Sequence, residues 1–264
     1  MNAVPILLYH SVADHAARRD LPFTVTPATL AGHLRVLDER GATTLTVSDL
    51  AERFRLGAQV EPGTVVVTVD DAYADTAEVL APALAAIGMT ATVYVSTATI
   101  GSTVRDSRMI SWAQVRELVD AGLEVGSHGH RHVPLDLLRG ATVLAELTTS
   151  RALLQDWLGD DVSTFAYPYG FHTPAVEHLV AEAGFRSACA VKNALSHPGD
   201  DVYALARVTV TRDTGAEDLA ALLDSLLQSP TLPLSTARRR VKTRVWRGAR
   251  EALRLAHIDI PGAS

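Results

Sequence analysis

Short apolar runs rich in Val, Leu and Ala alternate along this chain with longer stretches of helical periodicity. Residues 6–10, 64–69, 90–95, 124–127, 164–166, 186–191 and 206–210 read as strands. Most show no polar alternation, as expected of a strand buried on both faces. Helical patterns cover 27–40, 48–54, 74–87, 112–121, 135–158 with a break at Gly140, 174–183 and 216–228. Thr26 and Ser111 stand where N-caps belong, and Gly41, Gly88, Gly122 and Gly184 stand where helices stop. Strand followed by helix, repeated, predicts parallel strands joined by crossover helices.

Two of these runs stop abruptly at chemistry. Val65-Val66-Val67-Thr68-Val69 ends at Asp70-Asp71, and Leu123-Glu124-Val125-Gly126-Ser127 ends at His128-Gly129-His130-Arg131-His132. Active sites of parallel α/β folds lie at the carboxyl ends of the strands. Two histidines four apart on a tight turn can face one side, and imidazole suits zinc, iron, cobalt or nickel. A carboxylate from Asp70 or Asp71 would complete a two-His-one-carboxylate set with positions open to water and substrate, the mark of a catalytic metal site. Successive side chains in an extended segment point to opposite sides. One aspartate could therefore hold the metal while its neighbour serves as general base. The blander alternative makes the aspartates caps of the helix starting near Tyr73 and the histidines solvated loop residues. The pairing of two such strand ends favours the metal site.

Composition narrows the class. The chain has 264 residues, 47% of them hydrophobic, enough for one large core and an ordinary length for one α/β barrel. A net charge of -6 argues against nucleic-acid binding. The single cysteine, Cys189, excludes a disulfide framework and a Cys-based zinc site. It lies in an apolar run and reads as a small core residue. Residues 1–10 lack a basic leader, and Pro5 interrupts their apolar run, so they read as a first strand and not a signal peptide. No apolar stretch is long enough to span a bilayer. The expected location is the cytoplasm.

Composition shifts at 229–236, a Pro-punctuated stretch that reads as a linker. Beyond it Arg238, Arg239, Arg240, Lys242, Arg244, Arg247, Arg250 and Arg254 face one acid, Glu251, before His257. Val241, Val245, Trp246, Ala249, Leu253 and Ala256 recur at helical spacing. Such a basic amphipathic helix fits an anionic membrane surface, a partner protein, or the flank of its own barrel. The expected organisation is a catalytic barrel over 1–228, a linker over 229–236 and a basic helix and tail over 237–264. The stretch from Arg238 to Arg254 would be the contact to the inner face of a membrane or to a partner.

Thr68-Val69-Asp70-Asp71-Ala72-Tyr73 resembles the first motif of the polysaccharide deacetylases (carbohydrate esterase family 4, the NodB-homology domain), usually T-F-D-D-G. Ser127-His128-Gly129-His130-Arg131-His132 resembles the second, an H-x-x-x-H metal motif, and Phe165-Ala166-Tyr167-Pro168-Tyr169-Gly170 the third, which ends in P-Y-G. Ser111-Trp112 and Leu8-Tyr9-His10-Ser11-Val12 also look like the family, and the resemblance spans roughly residues 4–228. It implies a distorted (β/α) barrel of roughly seven parallel strands that removes acetyl from an N-acetylated sugar. It makes Asp70 the general base, Asp71, His128 and His132 the ligands of a divalent ion (zinc first; iron, cobalt or nickel as alternatives), and the Tyr169 N–H an oxyanion donor. A metal-activated water would be the nucleophile, and His130 would point away.

The departures from the family pattern carry their own expectations. Ala72 replaces a usual Gly. Ala166 stands where the third motif often carries an Arg thought to orient the base, which leaves open what orients Asp70. The late L-x-H motif that supplies a general acid is matched by letters at Leu195-Ser196-His197, but in a Pro-Gly-Asp loop that reads as a turn. His10, ending the first strand, is the better acid because it faces the metal's rim in a closed barrel, with His172 second. His15, His33, His178 and His257 read as surface residues. The competing functions are an amidohydrolase acting on a non-sugar amide or cyclic ureide, and a carbohydrate-binding barrel without chemistry. A cytoplasmic enzyme would meet a nucleotide sugar, a small glycoside or a lipid-linked precursor.

Overall fold

The structure is a computed structural model of the chain, described for residues 3–228. Seven parallel strands, β1 (Ile6–Tyr9), β2 (Thr64–Val69), β3 (Thr92–Val95), β4 (Glu124–Ser127), β5 (Thr164–Ala166), β6 (Ser187–Cys189) and β7 (Val208–Thr209), curl into a half-barrel in the order β6-β5-β4-β3-β2-β1-β7. A short strand, Thr43–Leu45, pairs with the first half of β2, on the edge that β3 takes further along. The gap between β6 and β7 is spanned by one segment. Leu205 pairs with Cys189, and three residues later Val208 pairs with Leu7 of β1. This is the distorted barrel expected from the sequence.

The helices are α1 (Pro27–Glu39), α2 (Val47–Leu56), α3 (Ala81–Ala85), α4 (Trp112–Asp120), α5 (Gly140–Leu158), α6 (Pro174–Glu182) and α7 (Ala216–Gln228). Leu7, Tyr9, Val65, Val67, Val93, Val95, Val125 and Phe165 point outward into the main core under these helices. Their neighbours Ile6, Val66, Tyr94, Ala166 and Cys189 point inward into a second cluster. Both faces are therefore apolar, which is why the strands read as continuous runs. Val47, Leu50, Ala51 and Phe54 of α2 belong to the inner cluster. The Val47 N–H donates to Thr92 Oγ1 at the start of β3. Helix α2 thus plugs the amino end of the barrel and leaves the carboxyl end as its mouth. Gly126 on β4 faces inward against Tyr94, whose ring atoms would lie 2.6 Å from any Cβ there.

Two local expectations need correction. The helix predicted over 74–87 begins as a π-helical turn, Thr76–Leu80, with the Ala81 N–H bonded back to Thr76 O, before α3. Pro82 at the start of α3 has no N–H to continue an α-helical ladder, and the wider turn accommodates it. His33, expected at the surface, is fully buried. It shares the inward stripe of α1 with Leu30, Leu34 and Leu37 at helical spacing. Its Nδ1 accepts from the Tyr9 hydroxyl at 3.0 Å and its Nε2 donates to Thr214 O at 2.8 Å. A polar side chain satisfied on both nitrogens can sit in a core. His15 and His178 are exposed, as expected. The linker at 229–236, the tail at 237–264 and His257 lie outside the described residues. No helix among the described residues is long and apolar enough to cross a membrane.

Candidate active site

The barrel mouth opens into a cleft of about 940 Å³ lined by, among others, His10, Phe23, Asp70, Asp71, His128, His132 and Tyr169. Strand parity brings Asp70 there, since Val66 and Thr68 precede it on the inward face of β2. Asp71 would face away if the chain stayed extended. Instead its φ is 69°, and the turn swings its carboxylate back to the mouth. Both aspartates consequently approach His128 Nε2, at 3.7 Å from Asp70 Oδ2 and 3.5 Å from Asp71 Oδ1. Neither caps the following helix, whose N-cap position is Asp75. Ala72 is left-handed too, at φ 56°, with no exposed surface. A non-glycine residue in that conformation costs about 1–2 kcal/mol, a cost that a glycine would avoid.

His128 continues the inward face of β4. Its Nδ1 donates to Ala166 O at 2.8 Å, which fixes the tautomer and turns Nε2 toward Asp71. Burial pushes its pKa down to about 4, so the ring is neutral near pH 7, as a ligand must be. His132, at φ 54°, brings its Nε2 within 3.0 Å of Asp71 Oδ1. Burial opposes a charge on His132, but the hydrogen bond and charge of Asp71 outweigh it and raise the pKa. One ligand atom from each of Asp71, His128 and His132 lies within 4.8 Å of the others. Two imidazole nitrogens and one carboxylate oxygen gathered this closely fit a divalent transition metal. His130 pairs its Nδ1 with Thr97 Oγ1 at 2.9 Å and stays out of the cluster, as the sequence implied.

The residue that sequence reasoning missed is Arg207. It sits just before β7 with no exposed surface and reaches across the barrel interior. Its Nη1 donates to Asp70 Oδ1 at 2.6 Å and its Nη2 to Asp70 Oδ2 at 2.7 Å, a two-pronged pair. Nε donates to Ala190 O at 3.1 Å, and the guanidinium lies over the Tyr94 ring at 5.6 Å. Burial alone would raise the Asp70 pKa, but the charge and hydrogen bonds of Arg207, with His128 and His10 behind them, pull it below the ordinary carboxylate range. Asp70 is therefore charged at neutral pH. A signal for this partner was present in the sequence: one arginine among Ala204, Leu205, Ala206, Val208 and Val210, where a buried cation requires an anion.

The other candidates divide cleanly. His10 follows Ile6 and Leu8 in parity and lines the cleft, with its ring 5.1 Å from Phe23. Its Nδ1 is buried and has no partner among the described residues. Tyr169 is left-handed at φ 62°, lines the cleft and holds its half-exposed ring 4.7 Å from His132. His172 is engaged elsewhere, with Nε2 3.1 Å from Glu177 and the ring stacked on Tyr167. His197 lies at the wrong end of the barrel. The neighbouring Ser196 bridges to Val4 at the start of β1, and His197 forms the predicted turn with Asp200.

A sequence model of the family described as polysaccharide deacetylase matches residues 57–188, half of the chain. The chain belongs to the polysaccharide deacetylase family. Among its relatives is YxkH of Bacillus subtilis (strain 168), a protein named for the same family, 23% identical over 223 residues that cover 84% of this chain and 77% of that one. The solved structure of IcaB from Ammonifex degensii is 25% identical and superposes with a TM-score of 0.75 over 84% of this chain and 97% of that one. The Streptococcus pyogenes deacetylase PplD, solved in complex with acetate, shares the fold at 19% identity, with a TM-score of 0.76 over 87% and 99% of the two chains. The activity that polysaccharide deacetylase membership supports is carbohydrate deacetylation. The matched residues include Asp70, Asp71, His128, His132 and Tyr169; His10 and Arg207 lie on either side of them.

Proposed function

We propose that the protein is a metal-dependent hydrolase that removes the acetyl group from an N-acetylamino sugar or its glycoside. The observation that carries this reading is the convergence of Asp71, His128 and His132 at the cleft, beside an Asp70 held charged by Arg207. The three ligands would hold one divalent ion, zinc being the proposed species. When bound, such an ion polarises a carbonyl and acidifies water. Asp70, fixed by both prongs of Arg207 and beside the ligand cluster, takes the proton of the attacking water. The Tyr169 N–H donates to the oxyanion as it develops. His10, on the same rim, returns a proton to the leaving amine. The aromatic rings of Phe23 and Tyr169, exposed at the cleft, offer faces for a sugar ring to pack on.

The test pairs metal analysis with acetate release. Protein loaded with zinc, cobalt or nickel is offered N-acetylglucosamine oligomers and a panel of N-acetyl sugars, and products are read by mass spectrometry as loss of one acetyl group. Acetate from at least one sugar, abolished in His128→Ala together with the bound metal, is the expected result. The reading fails if metal-loaded protein releases acetate from none of them, or if His128→Ala and His132→Ala each keep a full equivalent of metal.

A further inference from the structure

The two histidine ligands are separated by a loop whose shape decides whether they can share one ion. Gly129 has φ 79° and His132 φ 54°, so the loop turns through left-handed backbone twice in four residues. Its polar groups are tied down one by one. Gly129 O and His130 O accept from the backbone N–H groups of Thr97 and Ala98 at 3.2 and 2.8 Å. The Gly129 N–H donates to Ser127 Oγ, which pairs with Ser150 Oγ on α5 at 2.7 Å.

One anchor differs from these in being charged. Glu146, one helical turn before Ser150 on the same face of α5, is 3% exposed. Its Oε2 accepts from the backbone N–H groups of His130 and Arg131 at 3.1 and 2.8 Å, and its Oε1 from Arg131 Nε at 2.6 Å. A buried carboxylate accepting from two consecutive backbone N–H groups clamps the peptide planes between the ligands, and charge-assisted bonds of this kind are the strong ones. Glu146 does not itself line the cleft; apart from the Arg131 guanidinium, these bonds go to the backbone of the loop. Its effect passes through the backbone to the direction in which His132 leaves the loop.

We infer that Glu146 is a positioning residue for the metal site: it sets the spacing of His128 and His132 by clamping the His130 and Arg131 peptides from behind. This rests on the ligand assignment of the proposed function. Backbone partners of a ligand-bearing loop act like other outer-shell groups, whose loss typically costs about 10- to 100-fold in metal affinity. Glu146→Gln keeps the volume but presents an amide N–H₂ to one of three donors, so one bond is lost and two donors are opposed. Glu146→Asp keeps the charge and withdraws it by one methylene from the loop.

The experiment is a zinc titration of chelator-stripped protein by calorimetry, with the thermal melt of the same metal-free samples and the visible absorption of the cobalt(II)-loaded forms, which reads ligand geometry. The expected result is a zinc Kd raised about 10- to 100-fold and an altered cobalt spectrum in at least one variant whose metal-free melt and far-UV spectrum stay close to wild type. Wild-type Kd and cobalt spectrum in every variant that folds overturn the inference. So does failure of both variants to fold, which would make Glu146 a determinant of the fold and not of the loop. If wild-type protein binds no zinc at all, the ligand assignment itself has failed, an outcome distinguishable from either of these.

Discussion

Replacing Arg207 by Met is the sharpest perturbation of this site that leaves the proposed metal ligands untouched. The guanidinium and the Asp70 carboxylate are both within a few per cent of full burial, and the first donates two short hydrogen bonds to the second. Removing one partner of such a pair leaves the other charge buried and uncompensated, a loss of about 3–5 kcal/mol. For a domain of this size, where 1 kcal/mol moves the midpoint by about 2–4 °C, that is a fall in Tm of about 6–20 °C. The sign with pH follows from Asp70. In the wild type its folded pKa lies below the unfolded value of about 3.9, so its contribution is present above that value and fades as pH falls through the folded pKa. In Arg207→Met burial acts without the guanidinium and the folded pKa moves above the unfolded one. The penalty is then small in acid and grows as pH rises. Urea unfolding of metal-free protein from about pH 4 to pH 8 should therefore show the gap between variant and wild type widening with pH. Asp70→Asn introduced into Arg207→Met should recover most of the loss, because both charges are then gone. A single-variant cost below about 1 kcal/mol, or a double variant less stable than Arg207→Met, would refute the reasoning.

Further outcomes test the neighbouring assignments. Asp70→Asn should keep one equivalent of metal by elemental analysis while losing about 10²–10⁴-fold in turnover; loss of the metal as well would mean that both aspartates are ligands. His10→Ala should lower turnover while keeping one equivalent of metal, whereas His197→Ala at the far end of the barrel should leave turnover unchanged. The reverse pattern would restore the L-x-H reading. Gly126→Ala should destabilise by about 1–3 kcal/mol in chemical denaturation, since its methyl would meet the Tyr94 ring at 2.6 Å and Thr164 at 2.9 Å; wild-type stability would show that the inner cluster is looser than described.

What the sequence made legible follows from what local pattern can encode. Buried parallel strands are largely apolar on both faces, so β2 announced itself and so did the aspartates on which it ends; β4 showed less in its own residues, Glu124 to Ser127, than in its place between two helical patterns. The His128 and His132 pair needed only four residues of context. The opposite-side argument for Asp70 and Asp71 assigned them separate roles on the assumption of an extended backbone, whereas the left-handed turn at Asp71 brings both carboxylates to the same ring. A positive φ at a non-glycine residue leaves almost no trace in sequence. His33 was misplaced because a lone polar residue on an inward helical stripe looks like a surface residue until its partners, 24 and 181 positions away, are known. Arg207 was invisible for the same reason of distance. Its strand was recognised, and its isolated charge was on the page, but nothing local connects it to Asp70.

That distance has a consequence for how the protein comes to be active. Asp70 and Arg207 are 137 positions apart, and the segment that carries Arg207 is also the one that bridges β6 to β1. Strands β1 to β6 can pair in the order in which they leave the ribosome, whereas the contact that holds Asp70 must wait for the last loop to close, an entropic cost that grows with its length. A chain arrested before β7 would already own Asp71, His128 and His132 and could capture an ion, yet its Asp70 would face an incomplete wall. Hydrolysis would then serve as a readout of ring closure, lagging behind metal capture during refolding. The protein would acquire its reactivity only once its final strand is in place.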